Sequence, residues 1–257
     1  MSRSHISRRT VLRAFGAASL GAWIPACLTS PTSASNSGAS RLDARPGTPT
    51  STGPVGKSSF DVPGSSSVVY VPERVVRDRP TALLVFLHGA LRTVDTFVEA
   101  HRTVADAAGV IVLAPFAAGG GTWDAIRGSF GPDPKVINEA LRWVFNRWTI
   151  DPARIVLSGF SDGGTYTLAI GRANGDFFSR VVAYSPGFLI DVPAVGKPPF
   201  LVTHGTDDTV LPIDATSRVI VPELRSRGYN VDYREFKGPH AVPGSVVSEL
   251  VSQLGSA

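Results

Sequence analysis

The chain has 257 residues, 25 of them Lys or Arg and 21 Asp or Glu, for a formal net charge of +4. That length allows one mid-sized domain with a substantial core. The charge does not point to an anionic partner: Arg3, Arg8, Arg9 and Arg13 precede Cys27 and no acid does, so beyond that stretch 21 basic residues meet 21 acidic ones, and nucleic-acid binding is not expected.

The first 27 residues read as an export signal. Ser7-Arg8-Arg9-Thr10-Val11-Leu12 fits the twin-arginine pattern. Ala14 to Ile24 is apolar, but too short and too rich in small residues to span a bilayer as a stable helix. Cys27, the only cysteine, cannot form an internal disulfide. It follows Ile24-Pro25-Ala26, a pattern similar to a lipoprotein signal-peptidase site, so Cys27 is expected to carry lipid and to anchor the protein to a membrane. The alternative is cleavage after Ala34, which discards Cys27. Leu28 to Lys57 has Ser, Thr, Pro or Gly at nineteen of thirty positions and no aromatic residue. Such a segment buries too little apolar surface to offset its ordering entropy, and is expected to be a disordered tether. The folded domain is then 58–257.

Strand and helix patterns alternate after the tether. Ser67–Val71 reads as an early strand, and Ala82–Leu87 as a continuous apolar strand covered on both faces. Thr96–Ala108 is helical and Val110–Leu113 is the next strand. Over Pro134–Trp148, Val136, Ile137, Ala140, Leu141, Val144 and Trp148 share one helical stripe. Strands follow at Ile155–Leu157, Val181–Tyr184 and Phe200–Thr203. Ile213–Arg227 is a helix closed by Gly228, Tyr229–Phe236 the last strand and Ser245–Leu254 the last helix. The expected class is α/β, a mostly parallel sheet with helices on both faces. Only Ser185 to Pro199 separates two late strands, too few residues for a large cap domain, so an open site is expected.

Gly159-Phe160-Ser161-Asp162-Gly163 fits Gly-x-Ser-x-Gly between the strand ending at Leu157 and the helix beginning near Gly164. Strand, sharp turn and helix give this pattern the meaning of a nucleophile elbow, with the serine hydroxyl at its tip. A serine needs a histidine base, and the base an orienting carboxylate. In this arrangement the chain order is Ser, acid, His. Of His5, His88, His101, His204 and His240, only the last two follow Ser161. His240 stands in a loop after the last strand, a position suited to a base. Asp207 and Asp208 both follow a strand end on the sheet edge that would carry Ser161, where ligand sites of open parallel sheets lie. Asp214 reads as a helix N-cap.

From about Val68 to the C-terminus the chain resembles the α/β-hydrolase superfamily. His204-Gly205-Thr206-Asp207-Asp208-Thr209-Val210-Leu211-Pro212 is similar to its His-Gly-x-x-Asp-x-x-x-Pro segment, which implies Asp208 as the acid, with Asp207 second. Leu83–Leu87 followed by His88-Gly89-Ala90 resembles its strand and oxyanion loop. The nearest likeness is to small bacterial carboxylesterases of the phospholipase/carboxylesterase and dienelactone-hydrolase types, although Gly-Phe-Ser-Asp-Gly departs from the Gly-Phe-Ser-Gln-Gly usual in the first group. The resemblance implies a serine esterase that needs no cofactor and acts on a small-molecule or lipid ester, and the N-terminal signal would make it an exported one. Ser161 would be the nucleophile and His240 the base. The N–H of Asp162 would be one oxyanion donor, with Leu91, or alternatively Ala90, as the second. An acyltransferase, a polyester depolymerase and a noncatalytic surface lipoprotein are the alternatives.

Trp123, after Gly119-Gly120-Gly121, is either a wall of the substrate pocket or an anchored surface residue. Phe188 and Val210 are further loop candidates for substrate binding. His101 reads as structural, and His88 and His204 as braces. No metal site is expected, because no metal-ligand spacing occurs.

Overall fold

A computed structural model describes residues 38–90 and 94–256. Its centre is one eight-stranded sheet: β1 (Gly56–Val62), β2 (Ser65–Val71), β3 (Thr81–Leu87), β4 (Ile111–Pro115), β5 (Ile150–Phe160), β6 (Arg180–Tyr184), β7 (Phe200–Gly205) and β8 (Val231–Phe236). The spatial order is β1-β2-β4-β3-β5-β6-β7-β8. β1 and β2 are antiparallel to their neighbours, and β4 through β8 run parallel. Among the described residues, five α-helices accompany the strands: α1 (Val94–Ala108), α2 (Asp133–Phe145), α3 (Asp162–Ala173), α4 (Ser217–Ser226) and α5 (Gly244–Ser256).

The two-residue side-chain period of a strand sends alternate residues to opposite faces. Leu83, Val85 and Leu87 of β3 join one core with α2, α3 and α4. Ala82, Leu84 and Phe86 join the other with α1 and α5. Both faces are therefore covered, as the apolar run of β3 requires.

The structure corrects the tether over residues 38–57. This stretch lies along the domain instead of hanging free, and Leu42 and Ala44 sit in the core. Asn174, itself buried, accepts from the Leu42 N–H at 2.8 Å and donates to the Ser40 carbonyl at 2.8 Å. Asn138 accepts from the N–H groups of Asp43 and Ala44. Gly53 lies on the Trp148 ring, and Gly56 and Lys57 already belong to β1. Backbone hydrogen bonds hold this strap where its composition offers few apolar contacts.

Smaller differences have local causes. The helix expected over Ile213–Arg227 is a 3-10 turn, Ile213–Ala215, followed by α4; the break falls at Thr216, with φ −124° and ψ −97°. β1 is an additional strand, paired with β2 across the Pro63-Gly64 turn. No helix occurs between β6 and β7.

Candidate active site

Three loops at the carboxyl edge of the parallel strands carry the candidate residues. Ser161 lies between β5 and α3 with φ 57° and ψ −119°, a conformation rare for a residue with a side chain. Holding it costs about 1–3 kcal/mol, so the surroundings must fix it. The Ser161 N–H donates to the Tyr184 carbonyl at 2.9 Å, and the Ser161 carbonyl accepts from the Thr165 N–H at 2.9 Å. The flanking glycines are a steric requirement. A Cβ on Gly163 would stand 2.1 Å from the Leu87 oxygen, and one on Gly159 would stand 2.4 Å from the Gly163 oxygen.

Asp208 follows β7 and His240 follows β8. Their loops touch through the backbone: Asp207 N–H donates to Gly238 O at 2.9 Å, and Thr206 N–H to Phe236 O at 2.8 Å. Gly205 permits this approach, since a Cβ there would lie 2.4 Å from the carbonyls of Gly238 and Pro239. The result is a 2.6 Å hydrogen bond from His240 Nδ1 to Asp208 Oδ2. With Nδ1 protonated, Nε2 of the neutral ring holds the lone pair. The ring packs at 4.6 Å from Phe160, the residue before Ser161.

The Asp208 carboxylate is wholly buried and well partnered. Oδ1 accepts from the N–H groups of Val210 and Leu211 at 2.9 and 2.8 Å, and Oδ2 is also 3.0 Å from His204 Nε2. Burial opposes its charge, yet the Leu211 N–H and His240 outweigh it and hold the carboxyl below its usual range. His204 shares its Nε2–H between Asp208 and the Leu211 carbonyl, while Nδ1 accepts from the Ser217 hydroxyl at 2.6 Å. Burial lowers its pKa and keeps it neutral. Asp207, the second-choice acid, points outward and pairs with the exposed Lys237 at 2.6 Å.

The His88-Gly89-Ala90 turn abuts the elbow, and a Cβ on Gly89 would be 3.2 Å from Ser161 Cβ. His88 is buried; its Nε2 accepts from the Ala117 N–H at 3.1 Å and its Nδ1–H donates to the Gly89 carbonyl at 2.7 Å. Leu91 and Cys27 lie outside the described residues. Asp162 opens α3, so its N–H is among those that a helix leaves without an intrahelical acceptor.

Trp123 needs correction. It is completely buried, stacks on Tyr166 at 5.1 Å and donates its indole N–H to the His88 carbonyl at 2.8 Å. It is neither a pocket wall nor a surface anchor, because the aromatic neighbours that enclose it come from distant segments. Phe188 is partly buried after β6 and Val210 is exposed beside Asp208. Sequence reasoning missed Thr122, whose hydroxyl donates to the Asp162 carboxylate. The sequence carries no local signal for this contact, because it joins loops forty residues apart in the chain. His101 is buried on α1, with Nδ1 bonded to the Phe97 carbonyl. Among the described residues, no group of three His, Cys, Asp or Glu side chains is placed to hold a metal ion.

No protein-family model matches the chain. Over 151 residues it is 30% identical to a bifunctional acetylxylan esterase/xylanase of Neocallimastix patriciarum, a stretch covering 56% of this chain and 21% of that protein. The chain thus spans about a fifth of the length of this curated relative. Among solved structures it is similar to a thermostable esterase, with 25% identity, 78% of this chain and 60% of that one covered, and a TM-score of 0.60. It is also similar to FphF, a fluorophosphonate-binding serine hydrolase of Staphylococcus aureus, with 15% identity, coverage of 79% and 99%, and a TM-score of 0.61. Sheet order, elbow and these likenesses together give the chain the α/β-hydrolase fold.

Proposed function

We propose that the protein is a serine esterase in which Ser161, His240 and Asp208 act in sequence. The observation that carries this reading is the 2.6 Å bond between His240 Nδ1 and the buried Asp208, beside a serine held at positive φ between a strand and a helix. Ser161 Oγ attacks the ester carbonyl as His240 Nε2 takes its proton. Asp208 keeps the ring in the required tautomer and stabilises its cation. His240 then protonates the leaving alcohol, and in the second half-reaction it takes a proton from water, which releases the acid. The N–H of Asp162 faces the developing oxyanion. The second donor is the N–H of Leu91 or, as the alternative, that of Ala90, which in a planar trans peptide points opposite to the Gly89 carbonyl and so away from the His88 ring.

The short β6–β7 connection supports an open site and substrates whose ester is borne on a larger molecule. The partial likeness to an acetylxylan esterase supports small acyl groups on carbohydrate as one such class. Export through the twin-arginine route and lipid attachment at Cys27 complete the reading. With the strap seated on the domain from residue 38, the tether expected over Leu28–Lys57 loses its last twenty residues to the folded domain.

Two measurements test this. Ser161→Ala should abolish turnover of p-nitrophenyl acetate without altering the melting temperature; full activity would end the esterase mechanism. In cell fractions, wild type should be membrane-bound and labelled by palmitate, and Cys27→Ser soluble, unlabelled and active. A soluble, unlabelled wild type beginning at Ser35 would show that Cys27 is discarded.

A further inference from the structure

We infer that Thr122 and Trp123 form a crossbar that sets the gap between the two halves of the oxyanion site. Both are positioning residues, and the inference rests on the reading of Ser161 as nucleophile. The Thr122 hydroxyl donates to the carboxylate of Asp162, the residue whose N–H is one proposed donor. The next side chain, Trp123, donates its indole N–H to the His88 carbonyl at 2.8 Å, on the turn that carries the other donor. Two consecutive residues thus grip the two otherwise separate segments that must converge on one oxygen atom.

The crossbar is itself fixed. The residue that follows it, Asp124, accepts from the Tyr166 hydroxyl at 3.0 Å and from the N–H groups of Gly131 and Asp133 at 2.7 and 2.9 Å. Asp133 in turn accepts from the Asp124 N–H at 2.6 Å and the Ala118 N–H at 2.7 Å. The Trp123 ring lies between His88, at 4.9 Å, and Tyr166 of α3, at 5.1 Å. Turning the His88–Gly89 peptide would break the Trp123 bond, and shifting the first turn of α3 would break the Thr122 bond. Oxyanion stabilisation depends on donors held 2.7–3.1 Å from an atom that carries charge only in the transition state. A crossbar of this kind therefore acts on turnover and not on ground-state binding.

The test uses the full-length protein and the variants Thr122→Val, Thr122→Ser, Trp123→Phe and Thr122→Val/Trp123→Phe. It measures kcat and KM on p-nitrophenyl acetate, the melting temperature, and Ki for a trifluoromethyl ketone, which forms a tetrahedral oxyanion on the serine. Loss of a donor outright lowers kcat by about 10²–10³, so displacement of one should lower it by about tenfold or more. Thr122→Val and Trp123→Phe should show that loss with KM within about twofold, and Ki should weaken in proportion to kcat/KM. Thr122→Ser should retain wild-type kcat. The double variant should be little worse than the poorer single one, because both break the same device. Wild-type kcat in Thr122→Val, or a loss that appears in KM and leaves Ki unchanged, would overturn the crossbar. If Trp123→Phe fails to fold, Thr122→Val and Thr122→Ser decide alone. Full activity in Ser161→Ala would instead remove the reading beneath it.

Discussion

Replacing Asp208 by Asn changes one atom and removes one charge, and its consequence follows from the four donors around the carboxylate. Two are backbone N–H groups, of Val210 and Leu211, and two are ring N–H groups, of His240 and His204. An amide presents one acceptor and one donor, so in either orientation its NH2 faces groups that can only donate in their present state. The least costly arrangement keeps the amide oxygen on the two backbone N–H groups and turns the NH2 to the histidines. His204 keeps the Leu211 carbonyl as partner. Among the described residues His240 Nδ1 meets no second acceptor, so its tautomer changes: Nδ1 accepts and Nε2 carries the proton. A ring protonated at Nε2 cannot receive the Ser161 proton. The wrong tautomer lowers kcat by roughly 10⁴, while each donor left unsatisfied costs about 1–3 kcal/mol of stability. Initial rates on p-nitrophenyl acetate with parallel urea unfolding measure both. Asp207→Asn is the control, because its carboxylate meets only the exposed Lys237, and it should keep both rate and stability. An Asp208→Asn protein within tenfold of wild type, or an Asp207→Asn protein crippled in its place, would refute the reasoning.

Gly163→Ala places a methyl 2.1 Å from the Leu87 oxygen, which nothing but movement of α3 away from β3 can relieve. It should destabilise by about 1–3 kcal/mol or more and lower kcat beyond what the folded fraction explains, as read by thermal melts and rates on the soluble protein. Burial lowers the pKa of both His101 and His204, so the unfolded chain binds more protons once pH drops below about 6.5. Stability should be level above that pH and fall as pH decreases toward the folded values, each histidine adding a limiting slope of about 1.4 kcal/mol per pH unit; urea titrations at pH 7.5, 6 and 5 should show this, with a shallower slope in His101→Gln. Asn174→Ala, which frees the Leu42 N–H and the Ser40 carbonyl, should cost about 2–3 kcal/mol, as read by thermal melts.

The parts of the fold that the sequence displayed are those whose burial is written locally. Ala82–Leu87 is apolar throughout because both faces of β3 are covered, and the α2 stripe from Val136 to Val144 repeats because one face of that helix is buried. The strap was hidden for the opposite reason. Leu42 and Ala44 are its core residues, and much of its remaining hold comes from polar partners distant in the chain, among them Asn138, Asn146, Asn174 and Asp176. β1 escaped because a half-exposed strand of Ser, Lys and Asp continues the composition of the segment before it. Thr216 interrupts a helical period that the apolar residues carry straight through the break.

At the candidate site, the Gly-x-Ser-x-Gly pattern located the elbow because its glycines answer contacts with β3 and within the turn itself. Position after β7 did not separate Asp207 from Asp208, and only the resemblance put Asp208 first; in the structure they differ in their partner from the β8 loop, Lys237 for one and His240 for the other. Trp123 was ambiguous for the same reason. A tryptophan after three glycines reads as loop surface until His88 and Tyr166 close over it.

The central claim is that Ser161 is an activated nucleophile, and covalent labelling tests it most directly. The folded protein is treated with a fluorophosphonate and digested, and the modified residue is located by mass spectrometry. Stoichiometric labelling on Ser161, absent from Ser161→Ala and strongly slowed in His240→Ala, is the predicted result. Labelling at another residue, or none in a protein that unfolds cooperatively, would contradict the account.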